Sequence, residues 1–254
     1  MMTERAKALA LPVAMLLVFE LWARTVELHS DSLAPPSAIL AALHSALADG
    51  TIFVATRDTL MSAFAGLFIG GSAGLSLGIL LGLLSPMDRL LEVTIEAIRP
   101  IPSIAVLPLA LIALGFGYRM EMVIVAFACV WPVLILTRAA VREVEPRLME
   151  VARVLRLSPT DRIRKIVIPA ALPRIFVAFR LAAGIALIVA VTVEIAINPL
   201  GLGAAIMAAQ QGLQADLMLA YLLWIGLIGF GLNVGLNLMQ ARLFGRAALV
   251  RDRA

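Results

Sequence analysis

The sequence predicts an all-α, polytopic membrane bundle of about six transmembrane helices. Hydrophobic residues make up 62% of the chain and charged residues 15%, whereas soluble domains are about half apolar and about a quarter charged. Mean hydropathy is +1.00. The apolar residues are gathered into six long segments separated by short polar stretches.

The first segment, 8–23, follows Arg5 and Lys7, the charge pattern of a secretory signal. Glu20, Trp22 and Arg24 stand where a small-x-small cleavage site would be, so it reads as a retained first helix. The second, 60–84, exceeds the roughly 20 residues a straight span needs. It carries Gly66, Gly70, Gly74, Gly78 and Gly82, one every fourth residue. In a helix these form a ridge drifting about 40° per step, along which a second helix can approach closely. The third segment, 103–116, is short and is broken up by Pro100, Pro102 and Pro108. Broken helices at membrane depth line cavities or are buried in protein, which makes Pro100 and Pro102 candidates for a solute path. The fourth, 122–137, is also short.

The fifth, 175–197, carries Glu194 late in its run and is followed by Asn198-Pro199. An ionisable group in the bilayer usually faces protein or water. Glu194 and Asn198 are therefore expected to face a cavity, with simple solvation at the outer interface as the alternative. The last segment, 217–239, places Asn233 and Asn237 on one face, suited either to a path or to interhelical hydrogen bonding. The chain divides into 1–54 (first helix and external segment), 55–240 (main transmembrane region) and 241–254 (tail).

Orientation follows from the basic residues. With the N-terminus cytoplasmic, 18 of the 21 Lys and Arg fall inside, and only Arg24, Arg57 and Arg119 fall outside. Cationic loops stay cytoplasmic, so both termini are expected inside. The same rule accounts for the net charge of +4 without a nucleic-acid partner. Cys129 is the single cysteine, and His29 and His44 are the two histidines, too few for a membrane metalloenzyme. The chain has no Gly-x4-Gly-Lys-Ser/Thr loop, no H-E-x-x-H and no G-x-S-x-G. A secondary transporter, the alternative reading, calls for internal repeats and ion-coupling charges within the membrane.

Residues 138–174 form the longest polar stretch. Arg142, Glu143, Glu145, Arg147, Glu150, Arg153 and Arg156 alternate with Leu148, Val151, Ala152 and Leu155 at helical spacing, which predicts one helix with a wet and a dry face. Ser158-Pro159-Thr160-Asp161 predicts a second start, with serine as cap, proline at the first position and aspartate completing a capping box. Pro169 and Pro173 are expected to stop that helix near Ile168. The loop reads as a rigid two-helix knob suited to docking a soluble partner.

The run Glu150-Val151-Ala152, residues 153–159, then Ile168-Pro169-Ala170-Ala171-Leu172-Pro173, resembles the signature loop of ABC importer permeases. That signature reads Glu-Ala-Ala, three residues, Gly, about nine residues, Ile-x-Leu-Pro. Val151 replaces an alanine and Arg156 stands where the glycine is expected, so Ser158-Pro159 is expected to set the bend. Pro35-Pro36-Ser37, Arg99-Pro100-Ile101-Pro102, Leu107-Pro108-Leu109, Phe116-Gly117, Trp131-Pro132, Glu145-Pro146 and Gly201-Leu202-Gly203 extend the similarity over residues 35–240 to the nitrate, sulfonate and taurine permease subgroup. The resemblance implies a type I importer fold in a bacterial inner membrane, with two identical permease subunits forming the pore for a small anion. It further implies two ATPase subunits holding ATP and Mg, and an external solute-binding protein. It assigns ATPase coupling to Glu150, Val151, Ala152, Arg153, Arg156, Leu157 and Ser158, and no catalysis, metal or cofactor to the chain itself.

Overall fold

The computed structural model describes residues 2–26 and 32–245. His29 and the tail beyond 245 lie outside the described residues, as do the side chains of Arg5 and Lys7. The described residues are helical nearly throughout: α1 (Met2–Thr25), α2 (Pro36–Ala48), α3 (Thr51–Leu83), α4 (Ser85–Ile98), a 3₁₀ turn (Ser103–Val106), α5 (Leu107–Leu114), α6 (Tyr118–Arg142), α7 (Pro146–Val154), α8 (Pro159–Arg162), a π turn (Ile163–Val167), α9 (Ile168–Ala196), α10 (Gly201–Gln211) and α11 (Ala215–Phe244).

Four stretches are long and apolar enough to cross a membrane: α3, α6, the run Pro159–Gln211 and α11. The pair Ser85–Ile98 and Ser103–Leu114, bent by 83°, makes a fifth if it counts as one broken span. The expected six requires α1 as well. The fourth apolar segment is not short: α6 has 25 residues, and it takes in Glu121 and Arg138, which bound the segment in the sequence and pair with Asn198 of the α9–α10 connection and with α4. The boundary drawn at residue 54 falls inside α3.

The centre of the bundle is α3, α6 and α9. Ala182, Ala186 and Ala190 of α9 meet Val125, Cys129 and Val133 of α6 and Ala63 of α3. Small side chains suit this contact, since helix association in lipid depends on close packing rather than on escape from water. The α3–α6 seam is closer still. A Cβ built on Gly70 would lie 2.1 Å from the Ala126 carbonyl oxygen, and one on Gly74 would lie 2.5 Å from that of Val130. Gly66, Gly78 and Gly82 face Val125, Leu134 and Thr137, and Val141 at similarly prohibitive distances. Five turns of α3 therefore lie directly on the backbone of α6.

Two further cores close the ends. At one, Leu43 of α2, Ile52 of α3, Leu202 and Ile206 of α10, and Ala220 and Tyr221 of α11 pack together. At the other, Ala140 and Val141 of α6 meet Val167, Ala171 and Ile175. Here Asp88 of α4, 2% exposed, binds Arg138 at 2.7 Å and Arg142 at short range, clamping α4 to α6.

Candidate functional site

The 138–174 segment departs from its expected form in three ways. The single helix expected through 142–156 is interrupted at 143–145, because Glu145-Pro146 begins a new helix with Pro146 in its first turn. The bend is not made by Ser158-Pro159. It is made by Arg156, at φ 47°. Leu157 N–H donates to Ala152 O at 3.1 Å and Arg156 N–H to Arg153 O at 3.0 Å, the paired closure of a Schellman C-cap whose left-handed residue is usually glycine. Pro169 and Pro173 do not stop the second helix. The π turn at Ile163–Val167 widens the backbone just ahead of Pro169, and Pro173 lies within α9. A wide turn leaves no N–H bond for the proline ring to break. The dry face is covered only in part within the chain. Ala152 is 1% exposed, but Val151 is 49%, Leu155 62% and Val154 82%.

Ser158 does cap α8. Its Oγ accepts from Asp161 N–H at 3.2 Å, and the same Oγ lies 2.9 Å from Asp161 Oδ2. Lys165 braces Asp161 at 2.9 Å. Val144 and Met149 pack onto the Val141–Val167–Ala171 core, and Glu143 pairs with Arg174. α7 is thus fixed to the ends of α6 and α9, with Glu150, Val151, Arg153 and Arg156 on its outer surface.

Glu194 does not face a cavity, nor is it solvated. It is 2% exposed and sits under the first turn of α10. Gly203 N–H donates to its Oε2 at 2.8 Å. The Thr59 hydroxyl lies 3.0 Å from the same oxygen and accepts Leu202 N–H at 2.8 Å. Gly201, at φ +88°, leaves room for the carboxylate: a Cβ there would be 2.0 Å from Glu194 Oε1. The N-terminal N–H groups and the helix dipole of α10 offset the burial of this acid. Beside it, Asn198, 1% exposed, donates to Glu121 Oε2 at 2.5 Å. Together these bonds tie α3, α6, α9 and α10 at one end. Glu121 went unrecognised in the sequence. The available signal was an acid directly before the apolar run 122–137.

Two cavities lie farther along the bundle. One of ≈ 400 Å³ separates α6 and α9 from the break between α4 and α5; Arg99, Ile101, Ser103, Trp131 and Leu181 line it. Pro100 and Pro102 shape this break, and Pro102 leads directly into the 3₁₀ turn. The second, also ≈ 400 Å³, lies between α9 and α11 and includes Arg180 and Asn233. Here Arg180 donates to Asn237 Oδ1 at 2.6 Å and Gln240 Oε1 at 2.9 Å, and Asn237 Nδ2 donates to Asn233 Oδ1 at 3.3 Å. Asn233 therefore belongs to an interhelical network as well as to a cavity wall. The pathway candidates do not converge: Glu194 and Asn198 form one group, the Pro100–Pro102 break a second and Asn233 a third.

Residues 74–248 match the family described as binding-protein-dependent transport system inner membrane component. The chain is 28% identical over 237 residues to a putative aliphatic sulfonates transport permease of Bacillus subtilis, covering 93% of this chain and 86% of that one. It is 34% identical over 187 residues to the bicarbonate transport system permease CmpB of Synechococcus elongatus, covering 73% and 67%. To the taurine transport system permease TauC of Escherichia coli it is 30% identical over 195 residues, covering 77% and 71%. Among solved structures, an inward-facing MetNI methionine ABC transporter shares the fold with a TM-score of 0.67 at 20% identity, covering 75% of this chain and 95% of that one. The extended match, the glycine-locked helices and the docked α7 agree: the chain belongs to the binding-protein-dependent transport system inner-membrane component family, the permease subunits of ABC importers, in which ATP hydrolysis lies on separate subunits.

Proposed function

We propose that two copies of this chain form the pore of an importer for a small anion, with α7 as the element that couples ATP turnover to the pore. Two ATPase subunits holding ATP and Mg dock on the α7 side, and an external binding protein delivers solute at the opposite end. Both termini are cytoplasmic, and α1 is the sixth span. The observation that carries this reading is α7 itself. Its apolar residues Val151, Val154 and Leu155 are exposed while its other side is anchored to α6 and α9. A partner that covers this face can push on both long helices at once. The anionic class rests on the sulfonate, bicarbonate and taurine names of relatives.

Glu150 is exposed at the centre of the α7 surface and is assigned to positioning the joint. Charge reversal, Glu150→Lys, should abolish transport while leaving the permease folded. The check is the complete complex reconstituted in vesicles, with solute uptake and ATP turnover measured together. A Glu150→Lys complex that stays assembled, and whose ATPase remains as tightly coupled to uptake as wild type, would remove α7 from the coupling role.

A further inference from the structure

We propose that Arg99 is the anion-receiving group of the translocation path, within the cavity between α6, α9 and the α4–α5 break. This rests on the importer reading and deepens it by naming where the solute's charge is met. The cavity lies at mid-height of the bundle: Phe127, Trp131 and Ile135 on its wall are spaced one helical turn apart around the midpoint of α6, which runs Tyr118–Arg142. Its lining is mostly apolar, and Arg99 is the one charged residue in it.

The cations of α6 and α9 nearest this cavity along the bundle are already satisfied. Arg138 and Arg142 bind Asp88, and Arg180 binds Asn237 and Gln240. Among the described residues Arg99 has no ion-pair or hydrogen-bond partner. Arg99, counted with the cytoplasmic cations in the sequence, instead lines this mid-height cavity, with its side chain exposed. A charge set beside apolar walls at membrane depth without a counter-charge is expensive. It makes physical sense where the counter-charge is the cargo.

The neighbouring polar groups fit the same visitor. The indole N–H of Trp131 meets no acceptor among the described residues, and the Ser103 hydroxyl, on the same wall, is likewise available to donate. Guanidinium, indole and hydroxyl form a set of hydrogen-bond donors with no carboxylate among them, which favours a small anion with accepting oxygens. Arg99 holds φ −52° and ψ −41°, a helical conformation that a following proline disfavours. The cation sits where α4 ends and the α4–α5 break begins.

The test uses the complete complex of permease, ATPase and binding protein in vesicles, with labelled taurine, nitrate and bicarbonate as probes. Arg99→Gln should lower uptake about tenfold or more, while ATP turnover stimulated by the binding protein persists. Arg99→Lys should keep most of the uptake. In a Cys129→Ala background, Arg99→Cys should be inactive until an aminoethyl thiosulfonate reagent restores a positive charge. The sulfonatoethyl reagent, which adds a negative charge, should leave it inactive. Saturating solute should protect Cys at position 99 from either reagent. Normal uptake by Arg99→Gln overturns the proposal, as does loss of uptake that the aminoethyl group cannot rescue. Protection that tracks phosphatidylglycerol content instead of solute assigns Arg99 to a lipid headgroup and overturns it too. If the wild-type complex imports none of the three probes, the anion-importer reading itself fails, a result distinct from failure of the Arg99 variants alone.

Discussion

Arg156 holds a left-handed backbone at φ 47°, a conformation that costs an L-residue with a Cβ roughly 1–2 kcal/mol. Glycine avoids that cost but loses more freedom on folding. Arg156→Gly should therefore stabilise the α7–α8 turn by about 1 kcal/mol, and a β-branched residue such as Val should destabilise it. The measurement is amide exchange along α7, which should slow about fivefold in Arg156→Gly. Unchanged or faster exchange would count against strain at this position. Transport should persist in Arg156→Gly, because an exposed ion pair to a partner contributes about 0–1 kcal/mol. At this scale the sequence was partly legible. The comparison with the signature loop put a glycine at position 156, and a glycine demand is a left-handed demand. Ser158-Pro159 drew attention because capping chemistry is local and easy to read. The Glu121–Asn198 contact was not legible, since its partners are 77 positions apart and the adjacent apolar run began one residue too late.

The seam between α3 and α6 sets what these elements tolerate. Gly74 lies against the Val130 carbonyl, with Leu134 N and Val133 Cβ 3.1 Å from a built Cβ. Gly74→Leu would force the helices apart over several turns, an overpacking error that typically costs about 1–3 kcal/mol or more. The expected result is loss of assembled complex in detergent extraction and size exclusion, without altered solute preference in what remains. A Gly74→Leu protein that assembles and transports normally would show that the seam yields. This element-level feature was readable because a four-residue period names one face of a helix whatever lies opposite. The break at 143–145 was obscured because charges repeat at helical spacing straight through it. The Glu145-Pro146 boundary carried the correct signal. The π turn before Pro169 has no sequence period of its own. Its cause is the missing N–H of a proline placed after a helix had already begun.

Across the whole molecule, Asp49 and Gln214 line one shallow cavity beside Tyr221, at the end opposite α7. The charge asymmetry and the fold therefore predict one sidedness. Cysteines introduced at positions 49 and 214 should react with an impermeant maleimide from outside intact cells, and a cysteine at position 153 on α7 should not. Inside labelling at either 49 or 214 would reverse the topology. The order of spans and the knob were legible in the sequence because they are properties of runs of residues. Where the charged groups meet was not, because that depends on how α4 bends and α10 tucks back. The locked seam also bears on the surrounding lipid. α3 is 33 residues long, about 50 Å of helix, against a hydrocarbon slab of about 30 Å. A helix that oversteps its bilayer must lean, protrude or thicken the lipid around it. Since α3 is joined to α6 along five glycines, it cannot lean by itself, and any adjustment to membrane thickness is made by the pair together. Acyl-chain length thus becomes a mechanical input to this helix pair, one that reaches α7 through the end of α6 next to it.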